Sequence, residues 1–154
     1  MGIEIERKFL VVGEDWKQTP GQRYSQGYLN RDPARTVRVR VVGGQAWLTI
    51  KGRNQGTTRA EFEYEIPLAD GQQLLGLCEG PLIDKIRRLV PHAGMSWEVD
   101  EFLGENTGLV VAEIELSTAD QAFEAPPWLG AEVTEDARYF NSQLANKPFT
   151  LWGE

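Results

Sequence analysis

Glu4, Glu6 and Lys8 occupy every second position of Glu4-Ile5-Glu6-Arg7-Lys8, which runs into the apolar stretch Phe9-Leu10-Val11-Val12. Read as a strand, the segment points these three charges to one face and Ile3, Ile5, Arg7 and Phe9 to the other, because strand side chains alternate. Neighbours in such a row lie about 7 Å apart, so each reaches into a common volume without touching the next. Two carboxylates and an ammonium so spaced suit a metal ion beside an anion. An edge strand charged to discourage sheet association has the same pattern, so the reading depends on recurrence elsewhere.

The pattern recurs on most later strands. Thr36, Arg38 and Arg40 alternate with Val37, Val39 and Val41, and Trp47, Thr49 and Lys51 share one register on the returning strand. Arg59, Glu61, Glu63 and Glu65 alternate with Ala60, Phe62, Tyr64 and Ile66, a row of acids that repel one another unless something compensates them. Lys85 and Arg87 form a second basic pair, followed by Glu98 with Asp100 and by Glu113 with Glu115.

Burying the cations without an anion is costly, and so is burying the carboxylates without cations. Mutual pairing of the two sets is one solution; a highly charged anion bound together with a divalent metal is the other. Guanidinium forks and ammonium groups suit phosphate oxygens. Carboxylate oxygens without His or Cys nearby suit Mg²⁺ or Mn²⁺ rather than zinc. Cations that spread charge on a transferring group and a metal that positions a nucleophilic water are the two parts that phosphoryl transfer needs.

Holding these rows around one volume requires a barrel. Tyr24 to Asn30 alternates as a strand with Gln26 and Tyr28 on one face; Asp32-Pro33 turns the chain, and Gly43-Gly44 is a hairpin signal. Leu82 to Val90, Met95 to Leu103 and Leu109 to Ser117 supply the later strands. Asp70 to Cys78 reads as an amphipathic helix capped by Asp70, and Thr118 to Phe123 as a short helix ended by Pro126-Pro127. Thr134 is expected to cap a last helix running to about Ala145, before Asn146-Lys147-Pro148. About eight strands with hairpin-length connections predict a mainly β (α+β) fold: an eight-stranded antiparallel barrel with helices outside and a C-terminal helix. If helices cover the apolar face, the charges line the lumen.

The totals agree with a single domain over residues 1–154, with 41% hydrophobic and 25% charged residues. Sixteen basic against 23 acidic residues leave a net charge of -7, which disfavours a sequence-independent nucleic-acid partner. Cys78 stands alone and excludes an internal disulfide. With no signal-like N-terminus and no apolar run of membrane-spanning length, the expectation is a soluble cytoplasmic protein without a membrane partner. Trp128 and Trp152, taken as exposed, permit a homodimer.

Glu4-Ile5-Glu6-Arg7-Lys8 resembles the ExExK signature of the CYTH superfamily, also called triphosphate tunnel metalloenzymes. The resemblance continues through Gln26-Gly27-Tyr28-Leu29, Arg38-Val39-Arg40, Leu48-Thr49-Ile50-Lys51-Gly52, Glu61-Phe62-Glu63, Lys85-Ile86-Arg87, Trp97-Glu98-Val99-Asp100 and Ala112-Glu113-Ile114-Glu115-Leu116. It ends in Val133-Thr134-Glu135-Asp136 and Tyr139-Phe140-Asn141-Ser142, so nearly the whole chain is covered.

The resemblance implies a tunnel that binds triphosphates with Mg²⁺ or Mn²⁺. On these positions it implies metal binding by Glu4, Glu6, Glu113 and Glu115, with Glu61 and Glu63 for a second ion or for orienting water. Phosphate binding is implied for Lys8, Arg38, Arg40, Lys51, Lys85 and Arg87, and more weakly for Arg59. Glu4, Glu6, Lys8, Glu63, Lys85 and Glu115 form the implied catalytic set. Asp100 is a weaker candidate; Glu65, Glu98 and Tyr28 are equally read as structural, Arg138 closes a tunnel mouth or is solvated, and His92 is given no role. The compact chain, with little inserted sequence to recognise a base or thiamine, implies hydrolysis of tripolyphosphate to pyrophosphate and phosphate. Class IV-type adenylate cyclase and thiamine or nucleoside triphosphatase are the alternatives within the family; a polyphosphate- or nucleotide-binding module is the non-enzymatic one.

Overall fold

The computed structural model describes residues 2–145 and 147–152. Its strands are β1 (Ile3–Val11), β2 (Gly21–Asn30), β3 (Arg35–Val42), β4 (Gln45–Gly52), β5 (Thr58–Ile66), β6 (Glu79–His92), β7 (Met95–Phe102), β8 (Val110–Glu115) and β9 (Leu129–Glu132). They pair antiparallel in the order β5-β4-β3-β2-β6-β7-β8-β1-β9. Ile3, Glu4 and Ile5 of β1 also pair with Ala60, Arg59 and Thr58 of β5, which closes the first eight strands into a barrel. The C-terminal half of β1 adds β9 through Phe9↔Glu132 and Val11↔Leu129. The sequence pattern did not predict this short ninth strand.

Local chemistry accounts for the hairpins. Between β6 and β7, Ala93 and Gly94 both take positive φ (50° and 80°), the backbone of a primed turn whose twist matches that of the flanking strands.

The outward-facing residues of β1, β6, β7 and β8 build the main core. Phe9, Val90, Trp97, Val99, Ala112 and Ile114 pack there with Trp16 and Trp128. Trp128 is thus not the exposed aromatic expected: it is 6% exposed and meets Trp97 edge to face at 5.7 Å. The chain after Pro126-Pro127 folds back across this face, a contact that local pattern does not report.

A second cluster fills one end of the lumen. The inward registers that carry charge at mid-barrel become apolar at Tyr28, Ile83, Phe102 and Val111, and these meet Leu144 and Ala145. That end is stopped by packing.

Helix α1 (Leu68–Leu75) starts one turn earlier than expected, with Pro67 rather than Asp70 at its N-cap. Proline preset at φ -57° begins the helix, and Asp70 falls inside the first turn, where it complements the helix dipole. Gly71 lets α1 dock on the barrel, because a Cβ there would collide with the Cβ of Ala46. Gly71→Ala is therefore expected to lower stability by about 1–3 kcal/mol, measurable as a reduced urea midpoint.

Two other helices differ from expectation. Thr118 to Phe123 forms bends and a turn, not a helix. The long C-terminal helix is replaced by a 3-10 turn at Ala137–Tyr139 and the short α2 (Asn141–Leu144). Thr134 does not cap it: its hydroxyl accepts from the Lys8 backbone N–H at 3.0 Å, and Asp136 instead accepts from the Arg138 N–H. Anchoring to β1 prevents a helix from starting at Thr134. Helices also cover less of the outer sheet than expected, leaving Ile3, Ile50, Phe62 and Tyr64 38–64% exposed on β1, β4 and β5. Among the described residues no helix is long and apolar enough to cross a membrane.

Candidate active site

The lumen is a cavity of about 190 Å³ lined almost wholly by polar groups. Every residue proposed above for metal or phosphate lines it: Glu4, Glu6 and Lys8 from β1, Arg38 and Arg40 from β3, Lys51 from β4, Arg59, Glu61 and Glu63 from β5, Lys85 and Arg87 from β6, and Glu113 and Glu115 from β8. Lys51 does fall on the arginine face, since Thr36 pairs with Lys51 and Arg38 with Thr49.

Strand order divides these charges between walls. In the ring of eight, β2 stands opposite β1, β3 opposite β8, and β6 opposite β5. Arg38 and Arg40 therefore face the wall of Glu113 and Glu115, while Lys85 and Arg87 face that of Glu61 and Glu63. On the acidic wall, like charges sit directly across the ladder, Glu6 opposite Glu115 and Glu98 opposite Glu113. Such pairs destabilise a sheet unless a cation lies between them.

Both signs reach the interior: Lys85, Lys8, Arg38, Lys51 and Arg87 are all 9% exposed or less, as are Glu4, Glu113 and Asp100, whereas Glu115 and Glu63 are exposed at the rim.

Most cations have a carboxylate within reach. Lys51 Nζ donates to Glu4 at 3.0 Å, and Arg59 also reaches Glu4 at 3.3 Å. Arg38 meets Glu63 at 3.4 Å and Lys8 meets Glu113 at 3.5 Å. Arg87 makes a two-pronged contact to Asp100 at 2.8 and 2.9 Å, and Lys85 Nζ lies 2.7 Å from the same carboxylate. Arg40 is the exception: among the described residues it has no acidic partner, and its Nε donates to the Gln26 carbonyl oxygen at 2.9 Å.

These surroundings set the proton affinities. Burial, then repulsion from Arg38 and Arg87, lowers Arg40 to about 9. Burial brings Lys85 down to about 7, against the pull of Asp100. For Asp100 burial acts upward, yet Arg87 and Lys85 outweigh it and hold the carboxyl at about 2. Glu6 is pushed well above the ordinary carboxylate range by burial and by the charges of Glu113 and Glu4. Glu113 goes the other way, because Lys8 and Arg87 more than offset its burial. Glu115 is raised by burial and by Glu4 and Glu61.

Among the described residues that line the cavity none is His or Cys, so its metal-ligating donors are hard oxygens, chiefly carboxylates. Among the described residues no three acidic side chains converge tightly enough to hold a metal ion as they stand. Glu4 leans to Lys51 and Arg59, and Glu113 to Lys8 and Arg87.

Phe140, Asn141 and Ser142 carried no assigned role in the sequence reading, and Asp100 only that of a weaker candidate. Phe140, Asn141 and Ser142 enter the lumen from the C-terminal segment, and the Phe140 ring lies 5.2 Å from Lys8 Nζ and 5.9 Å from Arg59 Cζ. Asp100 is 2% exposed and ties Lys85 to Arg87. Only the Tyr139-Phe140-Asn141-Ser142 run signalled the former, and alternation with Glu98 the latter. Glu98 lines the cavity opposite Glu113, 3.4 Å from Arg87, and Tyr28 lines it too. Glu65 lies outside the cavity lining and accepts from Gln45. Arg138 binds Asp136 on the surface, and His92 sits 3.2 Å from Glu124, away from the tunnel.

Known proteins are similar to this chain in sequence and fold. An inorganic triphosphatase of Acetivibrio thermocellus is 49% identical over 156 residues, spanning 100% of both chains. An inorganic triphosphatase of Nitrosomonas europaea is 37% identical over 148 residues, 92% of this chain and 96% of its own. The crystal structure of an inorganic triphosphatase superposes with a TM-score of 0.67 at 35% identity, covering 92% of this chain and 93% of that one. A structure from Pyrococcus horikoshii, only 19% identical, shares the fold with a TM-score of 0.58 over 76% of this chain and 81% of its own. The CYTH domain profile matches residues 2–147, and the chain belongs to the CYTH domain family.

Proposed function

We propose that this protein hydrolyses inorganic tripolyphosphate to pyrophosphate and phosphate inside the barrel, with a divalent cation. The observation that carries the reading is the guanidinium of Arg40, which among the described residues contacts no carboxylate and lies in a lumen whose opposite wall holds carboxylates. A polyanion relieves the first and a divalent cation the second, so the two ligands belong together. The close relatives named inorganic triphosphatase support the same substrate. Tyr28 and Phe140 are the aromatic residues among the lining, and Phe140 is already engaged by Lys8 and Arg59, so the lumen offers a nucleobase or thiamine ring little to stack on.

Lys8, Arg38, Arg40, Lys51, Lys85 and Arg87 would grip the phosphates, with Arg59 at the edge of the same cavity. Glu4, Glu6, Glu113 and Glu115 would hold Mg²⁺ or Mn²⁺, and Glu61 and Glu63 a second ion or the orientation of the attacking water. The donor set fits a hard cation, because its donors are carboxylate oxygens, and burial with the charges of Glu113 and Glu4 raises the proton affinity of Glu6. When bound there, the cation supplies charge neutralisation on the triphosphate and acidifies a water for attack. The chain's own cations spread the negative charge that develops on the terminal phosphoryl oxygens and on the pyrophosphate leaving group. Asp100 fixes Arg87 and Lys85 in place, so they need not reorganise during reaction.

The test is phosphate release from tripolyphosphate, ATP and thiamine triphosphate in parallel, with Mg²⁺, Mn²⁺ or EDTA. Metal-dependent, preferred splitting of tripolyphosphate into pyrophosphate and phosphate is expected. An inert tripolyphosphate with ATP converted to pyrophosphate and a cyclic nucleotide would leave the fold standing and overturn the reaction.

Lys85 makes anion binding depend on pH. In the free tunnel it loses its proton near 7, while a polyanion beside it favours the charged form. Binding in EDTA should therefore take up a proton at pH 8 and weaken as pH rises above about 7, by at most about tenfold per pH unit. Calorimetry in two buffers of different ionisation enthalpy reads the uptake directly. For folding the sign is opposite. Between about 7 and 10.5 the unfolded chain keeps a proton that folded Lys85 has lost, so this group's burial penalty fades as pH rises.

A further inference from the structure

Two neutral amides connect the cationic groups on β3 and β6. Gln26 is completely buried on β2, where it pairs in register with Arg40 of β3. Its amide nitrogen donates to Asn141 Oδ1 at 3.1 Å, and its carbonyl oxygen accepts from Arg40 Nε at 2.9 Å. Asn141 Oδ1 also accepts from Lys85 Nζ at 2.9 Å. The chain Arg40, Gln26, Asn141, Lys85 thus begins and ends on groups that only donate when charged.

That fixes every orientation between them. Lys85 requires the oxygen of Asn141 to face it, so Asn141 meets Gln26 as an acceptor. Gln26 must then offer its NH₂ to Asn141, which turns its carbonyl to Arg40 Nε. With Nε engaged from behind, the two Nη groups of Arg40 are left for the lumen. At Arg40 no negative charge is spent in doing this, whereas an acidic partner would neutralise the cation; Lys85 is held by Asp100 as well.

We propose that Gln26 and Asn141 are positioning residues for the triphosphate, acting through Arg40 and Lys85 and making the C-terminal segment part of the binding site. The inference rests on the triphosphate reading above. It extends that reading to two residues outside the charged rows.

The experiment is a double-mutant cycle with Asn141→Ala and Gln26→Met, the latter keeping side-chain volume in the core. Tripolyphosphate affinity is measured by calorimetry in EDTA, and KM, kcat and the thermal midpoint are measured alongside. Each single variant is expected to bind about tenfold more weakly, the worth of one charge-assisted hydrogen bond. The double variant should be no weaker than the worse single, because both break one chain. KM should rise about tenfold with kcat within about twofold and the midpoint of Asn141→Ala unchanged, a split that general loosening of the barrel would not produce.

Single variants that bind like the wild type, or effects that multiply to about a hundredfold, would overturn the proposal. Should Gln26→Met fail to fold, Asn141→Ala alone still decides: wild-type affinity and KM would overturn the role. Wild-type protein that binds tripolyphosphate without splitting it would overturn the hydrolase reading alone. Wild-type protein that does not bind it would overturn both.

Discussion

Glu6→Gln is expected to abolish metal-dependent turnover, by about a thousandfold, while making the metal-free protein more stable above neutral pH. Glu6 is pressed by burial and by Glu113 and Glu4, so its carboxyl holds a proton far above the pH at which an ordinary glutamate releases it. The unfolded chain has no such pressure. Between the ordinary carboxylate pKa and the raised folded one, the folded protein carries a proton that the unfolded one has lost, so stability falls as pH rises through that window. Glutamine is close to isosteric with the protonated acid and never ionises. In EDTA the wild-type thermal midpoint should drop between pH 5 and the raised pKa, and the Gln variant should show a flatter profile. Mg²⁺ should stabilise the wild type and not the variant. A variant that keeps full Mg²⁺-dependent activity would remove Glu6 from the cation site.

Arg40→Gln should lower kcat/KM for tripolyphosphate by about 10²- to 10³-fold, the usual cost of removing one aligned charge-stabilising donor. It should also raise the thermal midpoint by roughly 2–4 °C. Arg40 is held below its ordinary pKa by burial, then by Arg38 and Arg87, which the more distant Asp100 offsets only in part; among the described residues no carboxylate contacts it. The glutamine side chain keeps a donor for the Gln26 carbonyl and removes the charge. Arg87→Gln would have the opposite effect on stability, because it leaves buried Asp100 with Lys85 alone, and its low pKa of about 2 depends first among its charges on Arg87. Asp100 contributes stability that is present above its unfolded value of 3.8 and lost as pH falls towards 2. Thermal scans of the two variants, with steady-state kinetics, check both signs. A destabilised Arg40→Gln protein would mean that the guanidinium is already compensated.

The charged rows show why much of this was legible in one dimension. Strand alternation ties Glu4, Glu6 and Lys8 to one face by covalent geometry, and the same holds for Arg38 with Arg40 and Lys85 with Arg87. A face of that polarity is stable where its charges pair or meet water or ligands, so the charged lumen follows from alternation once the opposite, apolar face is covered. Hairpin turns at Gly43-Gly44 and Ala93-Gly94 are equally local, since turn geometry depends on the residues that form it.

The tertiary structure decided which charges meet. Strand order places β2 opposite β1 and joins β2 to β6 across a long excursion, so the confrontation of the Arg38–Arg40 wall with Glu113 and Glu115 is a property of closure, not of any segment. Arg40 differs from Arg38 only by its neighbours in space: Arg38 reaches Glu63, whereas Arg40 meets Gln26 and the Tyr24 ring. The C-terminal segment shows the limit most plainly. Its local signals favour a helix from Thr134, but the Lys8 backbone N–H takes the Thr134 hydroxyl, and the chain continues irregularly until Asn141 stands against Lys85. Residues 8 and 134, or 85 and 141, are brought together by packing energies that act only after the barrel exists. Periodicity along the chain therefore determined the kinds of group in the tunnel, while the paired and unpaired states of those groups, and hence their proton affinities, were decided by the fold.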